Sequence, residues 1–163
     1  MRKPESKILS KEAMREERVR LKAAEKQVVF TNGCFDILHS GHVTYLNFSR
    51  EQGDVLVLGM NSDASVRRNK GDDRPINCED DRAMVLAALE CIDYVVLFDE
   101  DEPAGLIGEL LPDILVKGED WAHYVSGREV VEANGGKVVL AKMVEGRSTT
   151  GTIEKVLKVY GEK

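Results

Sequence analysis

Gln27-Val-Val-Phe-Thr-Asn-Gly-Cys-Phe-Asp-Ile-Leu-His-Ser-Gly-His42 is the stretch that decides how this chain folds. Its opening, Gln27 to Thr31, is a short apolar run and reads as a buried strand. Asn32 to Ser40 then reads as a loop. Helical spacing follows from His42 to Gln52, with Val43 and Leu46 on one side and Gly53 in the place of a C-cap. Strand, loop and helix in that order form one unit of a parallel α/β sheet.

The same unit recurs down the chain. Strands are predicted at 54–60, 94–97, 113–117 and 137–141. Helices are predicted at 62–69, at 79–90 with Asn77 as cap, between Pro103 and Pro112, near 127–134, and at 149–160. Continuous apolar strands alternating with amphipathic helices imply a sheet covered on both faces. The expected architecture is therefore α/β: a single Rossmann-like, doubly wound domain with a mainly parallel five-stranded sheet and an extra N-terminal helix. Residues 1–26 are expected to form that tail and helix, the helix capped by Ser10. Residues 27–163 are expected to form the domain proper.

Composition narrows the class. The 163 residues carry 23 Lys and Arg against 29 Asp and Glu, a net charge of -6. Nucleic-acid binding would call for a basic face, so it is not expected. The apolar stretches are too short to span a bilayer, and the N-terminus lacks the apolar core of a secretory signal. Cys34, Cys78 and Cys91 are odd in number and lack Cys-x-x-Cys spacing, so reduced thiols and a cytoplasmic location are expected.

In such folds ligands bind beyond the carboxyl ends of the strands. The loop after the first predicted strand is the richest of these. Gly33 permits close approach to the backbone. His39 and His42 flank Gly41 where a helix begins, and a helix N-terminus is a ready anion site. Two imidazoles there suit a reaction that develops charge on phosphate oxygens. A zinc site using His39, His42 and Cys34 or Asp36 is an alternative, although tight four-ligand spacing is missing.

Thr31-Asn-Gly-Cys-Phe-Asp-Ile-Leu-His-Ser-Gly-His42 resembles the His-x-Gly-His signature of the cytidylyltransferase-like nucleotidyltransferases. Ser148-Thr149-Thr150 resembles that family's second nucleotide-binding element. Within the superfamily the sequence is most similar to the heptose-phosphate adenylyltransferases. The similarity is carried by Val29–Asp36, Asn61-Ser-Asp-Ala-Ser65, Lys70-Gly-Asp-Asp-Arg-Pro-Ile-Asn77, Ala87–Glu90, Leu111–Gly118, Asn134-Gly-Gly136 and Ser148–Thr150. In the glycerol-3-phosphate and choline-phosphate cytidylyltransferases the second element opens with Arg, where this chain has Met143. They also have Arg-Tyr-Val-Asp-Glu-Val where this chain has Glu90-Cys-Ile-Asp-Tyr-Val95. Conversely, Glu119-Asp120-Trp121 resembles the cytidylyltransferase pattern.

The resemblance implies transfer of AMP from ATP to D-glycero-D-manno-heptose 1-phosphate, with Mg²⁺ carried on the triphosphate. The alternatives are a cytidylyltransferase acting on a small phosphate such as glycerol 3-phosphate, an adenylyltransferase like FAD synthetase, and a nucleotide-binding module without catalysis. His39, His42 and Lys70 are the implied catalytic residues. Thr31, Asn32, Gly33, Cys34, Phe35 and Gly41 would line the nucleotide, with Lys117 and Gly118 bordering the base and Ser148, Thr149 and Thr150 holding phosphate. Asp36, Asn61, Asp63, Arg74 and Arg82 would meet the substrate: Arg74 its phosphate, Asp36 and Asp63 its hydroxyls. Either capping or turn formation also accounts for Ser148, Asp36 and Asp63. Trp121, the only tryptophan, either covers the sugar or base or packs a loop. A homodimer and a separate heptose kinase are further implications.

Overall fold

A computed structural model describes residues 2–161. It contains strands β1 (Ile8–Leu9), β2 (Val28–Gly33), β3 (Val55–Asn61), β4 (Tyr94–Phe98), β5 (Ile114–Gly118) and β6 (Lys137–Ala141). The helices are α1 (Lys11–Ala23), α2 (Ser40–Arg50), α3 (Asp63–Lys70), α4 (Glu79–Ala87), α5 (Ala104–Leu110), α6 (Arg128–Ala133) and α7 (Thr149–Tyr160). The sheet order is β1-β4-β3-β2-β5-β6 and every pairing is parallel.

The sheet thus has six strands, where five were expected. The additional strand is β1, whose Ile8 and Leu9 pair with Val95 and Val96 of β4. Pro4–Lys7, expected as part of the tail, is ordered against the domain. Pro4–Lys7 forms a 3₁₀ turn, and Lys7 Nζ donates to the carbonyls of Leu89 and Ile92 at 3.0 and 2.8 Å. Two residues are too few to show a strand periodicity, which is why β1 is not legible in the sequence.

Alternate residues of each strand feed the two faces, as the period of two requires. Val29, Leu56 and Leu58 pack with Leu46 of α2 and Leu86 of α4. Val28, Phe30 and Val57 pack with Met14 of α1, with Leu106 and Ile107 of α5, and with Val131 of α6. All seven β3 residues are buried, as expected of a central strand covered on both sides. Three aspartates fix the register at the opposite end of the sheet from the ligand loops. Asp54, Asp93 and Asp113 each accept a strand-entry amide at 2.8 Å, from Gln27, Leu56 and Val28 respectively. Asp113 also pairs with the buried Arg18 of α1, which donates to the carbonyls of Leu110 and Leu111. That contact docks the N-terminal helix onto the domain.

Two local expectations are corrected. Asn77 does not cap α4; the N-cap is Cys78, and Asn77 Nδ2 donates instead to the Asp36 carbonyl at 2.7 Å. Gly53 does not close α2, whose C-cap is Glu51. Glycine fits there because a Cβ would meet Val29 Cγ2 at 2.7 Å and the Gln27 carbonyl oxygen at 3.0 Å. Because β2 is flanked by β3 on one side and β5 on the other, strand order reverses around it. The crevice beyond the carboxyl ends of β2 and β5 is where such a fold binds ligands.

Candidate active site

The loop leaving β2 is held tightly. Phe35 takes a left-handed conformation, φ 48°, and its ring folds back over Gly33, where a Cβ would lie 2.7 Å from Phe35 Cε2. The Asp36 carboxylate is buried and accepts the amides of Ile76 and Asn77 as well as Arg74 Nε at 2.7 Å. Burial pushes this carboxyl up, but the amides of Asn77 and Ile76 and the Arg74 guanidinium outweigh it and hold it below its usual range. Asp36 therefore ties the β2 loop to the 74–77 segment.

His39 is the N-cap residue of α2, and its carbonyl accepts the His42 amide at 3.0 Å. The two imidazoles stack, with centroids 3.8 Å apart and planes 18° apart. Phe35 meets His42 edge-on at 5.2 Å. A Cβ on Gly41 would lie 3.0 Å from His39 Nδ1 and 3.3 Å from Arg147 Cβ, so the missing side chain makes room for the His39 ring. The Nδ1 atoms of both histidines are buried without partners, leaving Nε2 as the ring nitrogen for a ligand. Burial, and then the neighbouring His39, pushes the His42 pKa down to about 4. His39 is also lowered, by burial and then by the charge of Arg147.

The α7 N-terminus is brought to the same place. Ser148 caps it, accepting the Gly151 amide at 2.9 Å, and Thr149 Oγ1 donates to the Ile37 carbonyl at 3.2 Å. Two helix N-termini, those of α2 and α7, thus border one crevice. Neither has an acidic residue in its first turn, so their partial positive charges are not cancelled locally.

Two cavities adjoin there. The smaller, about 290 Å³, is bordered by His39, Gly41, Tyr45, Gly118, Asp120, Met143, Val144, Arg147 and Ser148. The larger, about 500 Å³, is bordered by Asp36, Asn61, Asn69, Lys70, Arg74, Asp101, Glu102, Pro103, Tyr124, Ser126 and Thr150. Asn32, Gly33, Cys34, Phe35, His42, Lys117, Trp121 and Thr149 border both. At this shared wall Lys117 Nζ donates to Asn32 Oδ1 at 2.9 Å and lies 5.5 Å from the centre of the Trp121 ring. Burial lowers the Lys117 pKa.

Three of the residues expected at the site border neither cavity. Thr31 is buried, and its hydroxyl is shared between Tyr45 and the Val116 carbonyl. Arg82 is 2% exposed and donates to the carbonyls of Cys34, Asn61 and Asn77 and to Asp63 Oδ1 at 2.8 Å. Its guanidinium knots together the ends of β2 and β3 and the start of α4. Asp63 is its ion-pair partner. Among the described residues, no group of three or more His, Cys, Asp and Glu is placed to hold a metal ion. The alternative zinc set is not assembled, since the histidines stack on each other and Asp36 faces Arg74.

Sequence reasoning passes over Tyr45, Asp120, Arg147, Glu102, Tyr124 and Ser126 as site residues. Arg147 directly precedes Ser148-Thr149-Thr150, and that adjacency is the available signal. Glu102 and Asp120 lie in post-strand loops, where this fold concentrates ligand contacts. No local pattern marks Tyr45 or Ser126.

The fold, the stacked histidine pair and the paired helix N-termini make this crevice a candidate anion-binding site. The cytidylyltransferase-like family model matches residues 30–154, and the chain belongs to that family. Among its relatives is the bifunctional protein HldE of Geobacter sulfurreducens, 62% identical over 143 residues, which are 87% of this chain and 29% of that protein. The bifunctional protein HldE of Syntrophotalea carbinolica is 55% identical over 157 residues, 96% of this chain and 32% of that protein. The chain therefore spans about a third or less of the curated relatives it matches. Among solved structures, the lipopolysaccharide core biosynthesis protein of Thermoplasma volcanium superposes with a TM-score of 0.60 at 30% identity, covering 75% of this chain and 99% of that one. Pantoate-beta-alanine ligase of Francisella tularensis shares the fold, with a TM-score of 0.60 at 15% identity over 94% of this chain and 77% of its own. No helix among the described residues is long and apolar enough to cross a membrane.

Proposed function

We propose that this chain transfers AMP from ATP to D-glycero-D-manno-heptose 1-phosphate, giving ADP-heptose and pyrophosphate. The observation that carries the reading is the shared wall: two cavities meet at His42, Lys117 and Thr149. The smaller takes the nucleotide between the α2 and α7 N-termini, and the larger takes the sugar phosphate near Lys70 and Arg74. The choice of sugar rests on the resemblance of the sequence motifs to heptose-phosphate adenylyltransferases. It is supported by the HldE relatives and by the similarity to the lipopolysaccharide core biosynthesis protein of Thermoplasma volcanium.

The reaction joins two anions, so the protein's tasks are alignment and charge neutralisation. A phosphate oxygen of the sugar attacks the α-phosphorus in line as the bond to pyrophosphate breaks. Nε2 of His39 and His42 and the amides opening α2 stabilise the charge gathering on the α-phosphate oxygens. Ser148 and Thr149 hold the phosphates at the α7 N-terminus, and Lys70, on the sugar-phosphate side, offsets the charge of the incoming phosphate. Arg74, braced by Asp36, orients the attacking phosphate. Mg²⁺ would be carried on the ATP phosphates, where it would supply charge neutralisation, and Asp120, the single carboxylate bordering the smaller cavity, would be the side chain of a kind to hold it.

The same reading makes the protein a cytoplasmic homodimer, with the exposed Val156, Leu157, Val159 and Tyr160 of α7 as apolar surface available for pairing. A second base is favoured by one observation. Asp120 and Trp121, the pair resembling the cytidylyltransferase pattern, both border the smaller cavity. Nucleotide selectivity therefore tests the proposal: ATP and CTP are each paired with heptose 1-phosphate and with glycerol 3-phosphate. Product from ATP and heptose 1-phosphate alone supports it. Turnover of CTP with glycerol 3-phosphate instead reassigns the substrates.

A further inference from the structure

The loops after β4 and β5 meet beside the larger cavity through one carboxylate. Glu102 Oε2 accepts the Tyr124 hydroxyl at 2.7 Å and the Ser126 hydroxyl at 2.9 Å. Ser126 is buried, at 8% exposure, and anchors this arrangement, while Glu102 itself is exposed. Other carboxylates around the cavity are already paired: Asp36 with Arg74 and Asp101 with Arg68, each at 2.7 Å. Glu102 has no such cation among the described residues, and both its hydrogen bonds fall on the same oxygen.

An ionised carboxylate accepts hydrogen bonds and donates none. Two hydroxyls on Oε2 fix the plane of the group and keep Oε1 free to accept. Phosphate oxygens would be repelled there, whereas the hydroxyls of a neutral polyol would be drawn in. The same cavity carries Lys70 and Arg74, which suit a phosphate. A cavity with cations and a fixed, uncompensated acceptor matches a ligand that is both phosphorylated and hydroxylated. We infer that Glu102, oriented by Tyr124 and Ser126, determines specificity in the larger cavity by accepting hydrogen bonds from the hydroxyls of a phosphorylated sugar. This rests on the reading of that cavity as the sugar-phosphate site, and adds how a sugar phosphate is told from phosphate alone.

Trp121 borders the cavity and is the only tryptophan, so its emission reports occupancy without any need for turnover. Wild type, Glu102→Ala, Glu102→Gln and Tyr124→Phe are titrated with heptose 1-phosphate, inorganic phosphate and ATP. Loss of a charge-assisted hydrogen bond predicts heptose 1-phosphate binding at least about tenfold weaker in Glu102→Ala, with inorganic phosphate and ATP changed by less than about twofold. Tyr124→Phe keeps the carboxylate but frees its plane, so its loss should be smaller, and Glu102→Gln should fall between the two. Equal weakening of all three ligands, or no weakening of the sugar phosphate, overturns the inference. Pyrophosphate release separates it from the underlying reading. A Glu102-dependent sugar-phosphate site in a protein that makes no product with ATP leaves the inference standing and sinks the proposed activity. Full activity in Glu102→Ala does the reverse.

Discussion

His39 and His42 lie ring upon ring, 3.8 Å between centroids, each with its Nδ1 buried and unpartnered. The pair is therefore built to be neutral in the absence of ligand, since a proton on one ring opposes a proton on the other. His42 sits at about 4 in the folded protein against an ordinary 6.5. Above 6.5 both folded and unfolded chains hold it neutral. As pH falls below 6.5 the unfolded chain takes up the proton first, so stability declines until about pH 4 and then levels. Discounting for solvent screening, the loss is on the order of 1–2 kcal/mol. Urea unfolding between pH 7.5 and 4 should show this decline, and His42→Asn should remove that part of it. An identical pH dependence in the variant would contradict the assignment.

Gly41 is where the site depends on a missing side chain. Alanine suits a helix better than glycine, so the fold should tolerate Gly41→Ala with a change in stability of no more than about 1 kcal/mol. Its Cβ would press on His39 Nδ1 at 3.0 Å and displace the ring. A misplacement of that kind predicts a fall in kcat of about 100-fold with the thermal midpoint nearly unchanged. Paired kinetics and calorimetry check both halves of this expectation.

Arg82 is expected to behave differently. It is buried, holds three carbonyls and pairs with Asp63, yet borders neither cavity. Arg82→Ala should destabilise the protein by about 3–5 kcal/mol, the cost of stripping a buried pair and its carbonyls of their partner. Asp63→Asn should cost less, and the double variant less than the sum, because the two share one interaction. Purely additive losses in urea unfolding would show that they do not act together.

Lys70 and Arg74 share a cavity but not a role in the fold. Lys70 is exposed and makes no ion pair among the described residues, whereas Arg74 neutralises the buried Asp36 carboxylate. Lys70→Ala should lower kcat/KM by about 10- to 100-fold at constant stability. Arg74→Ala should lower both. Equal effects of the two substitutions on the urea midpoint would contradict this division.

Much of this is legible in the sequence because its signals are local. The apolar runs around Val55–Asn61 and Ile114–Gly118 are long enough to show themselves as buried strands, and α7 begins and ends where its capping residues and apolar spacing place it, at Thr149 and Tyr160. His39, Gly41 and His42 are legible because their spacing has meaning only at a helix start. What escapes depends on distant partners. Asn77 has a capping residue's chemistry, but the Asp36 carbonyl claims it. Arg82 reads as a substrate-binding arginine, since nothing nearby reveals that its partners lie 48 and 21 residues away. Glu102 and Ser126, 24 residues apart, meet only because β4 and β5 deliver their loops to the same end of the sheet.

The proposed activity stands or falls with attack on the α-phosphorus at the wall the two cavities share. The decisive measurement is pyrophosphate release from ATP and heptose 1-phosphate, at saturating substrate, for wild type, His39→Ala and His42→Ala. Turnover is expected from the wild type, with a loss of about 100-fold or more in kcat for each variant and ATP still bound. Turnover undiminished in both variants, or tight ATP binding by a wild type that releases no pyrophosphate, would overturn the proposal.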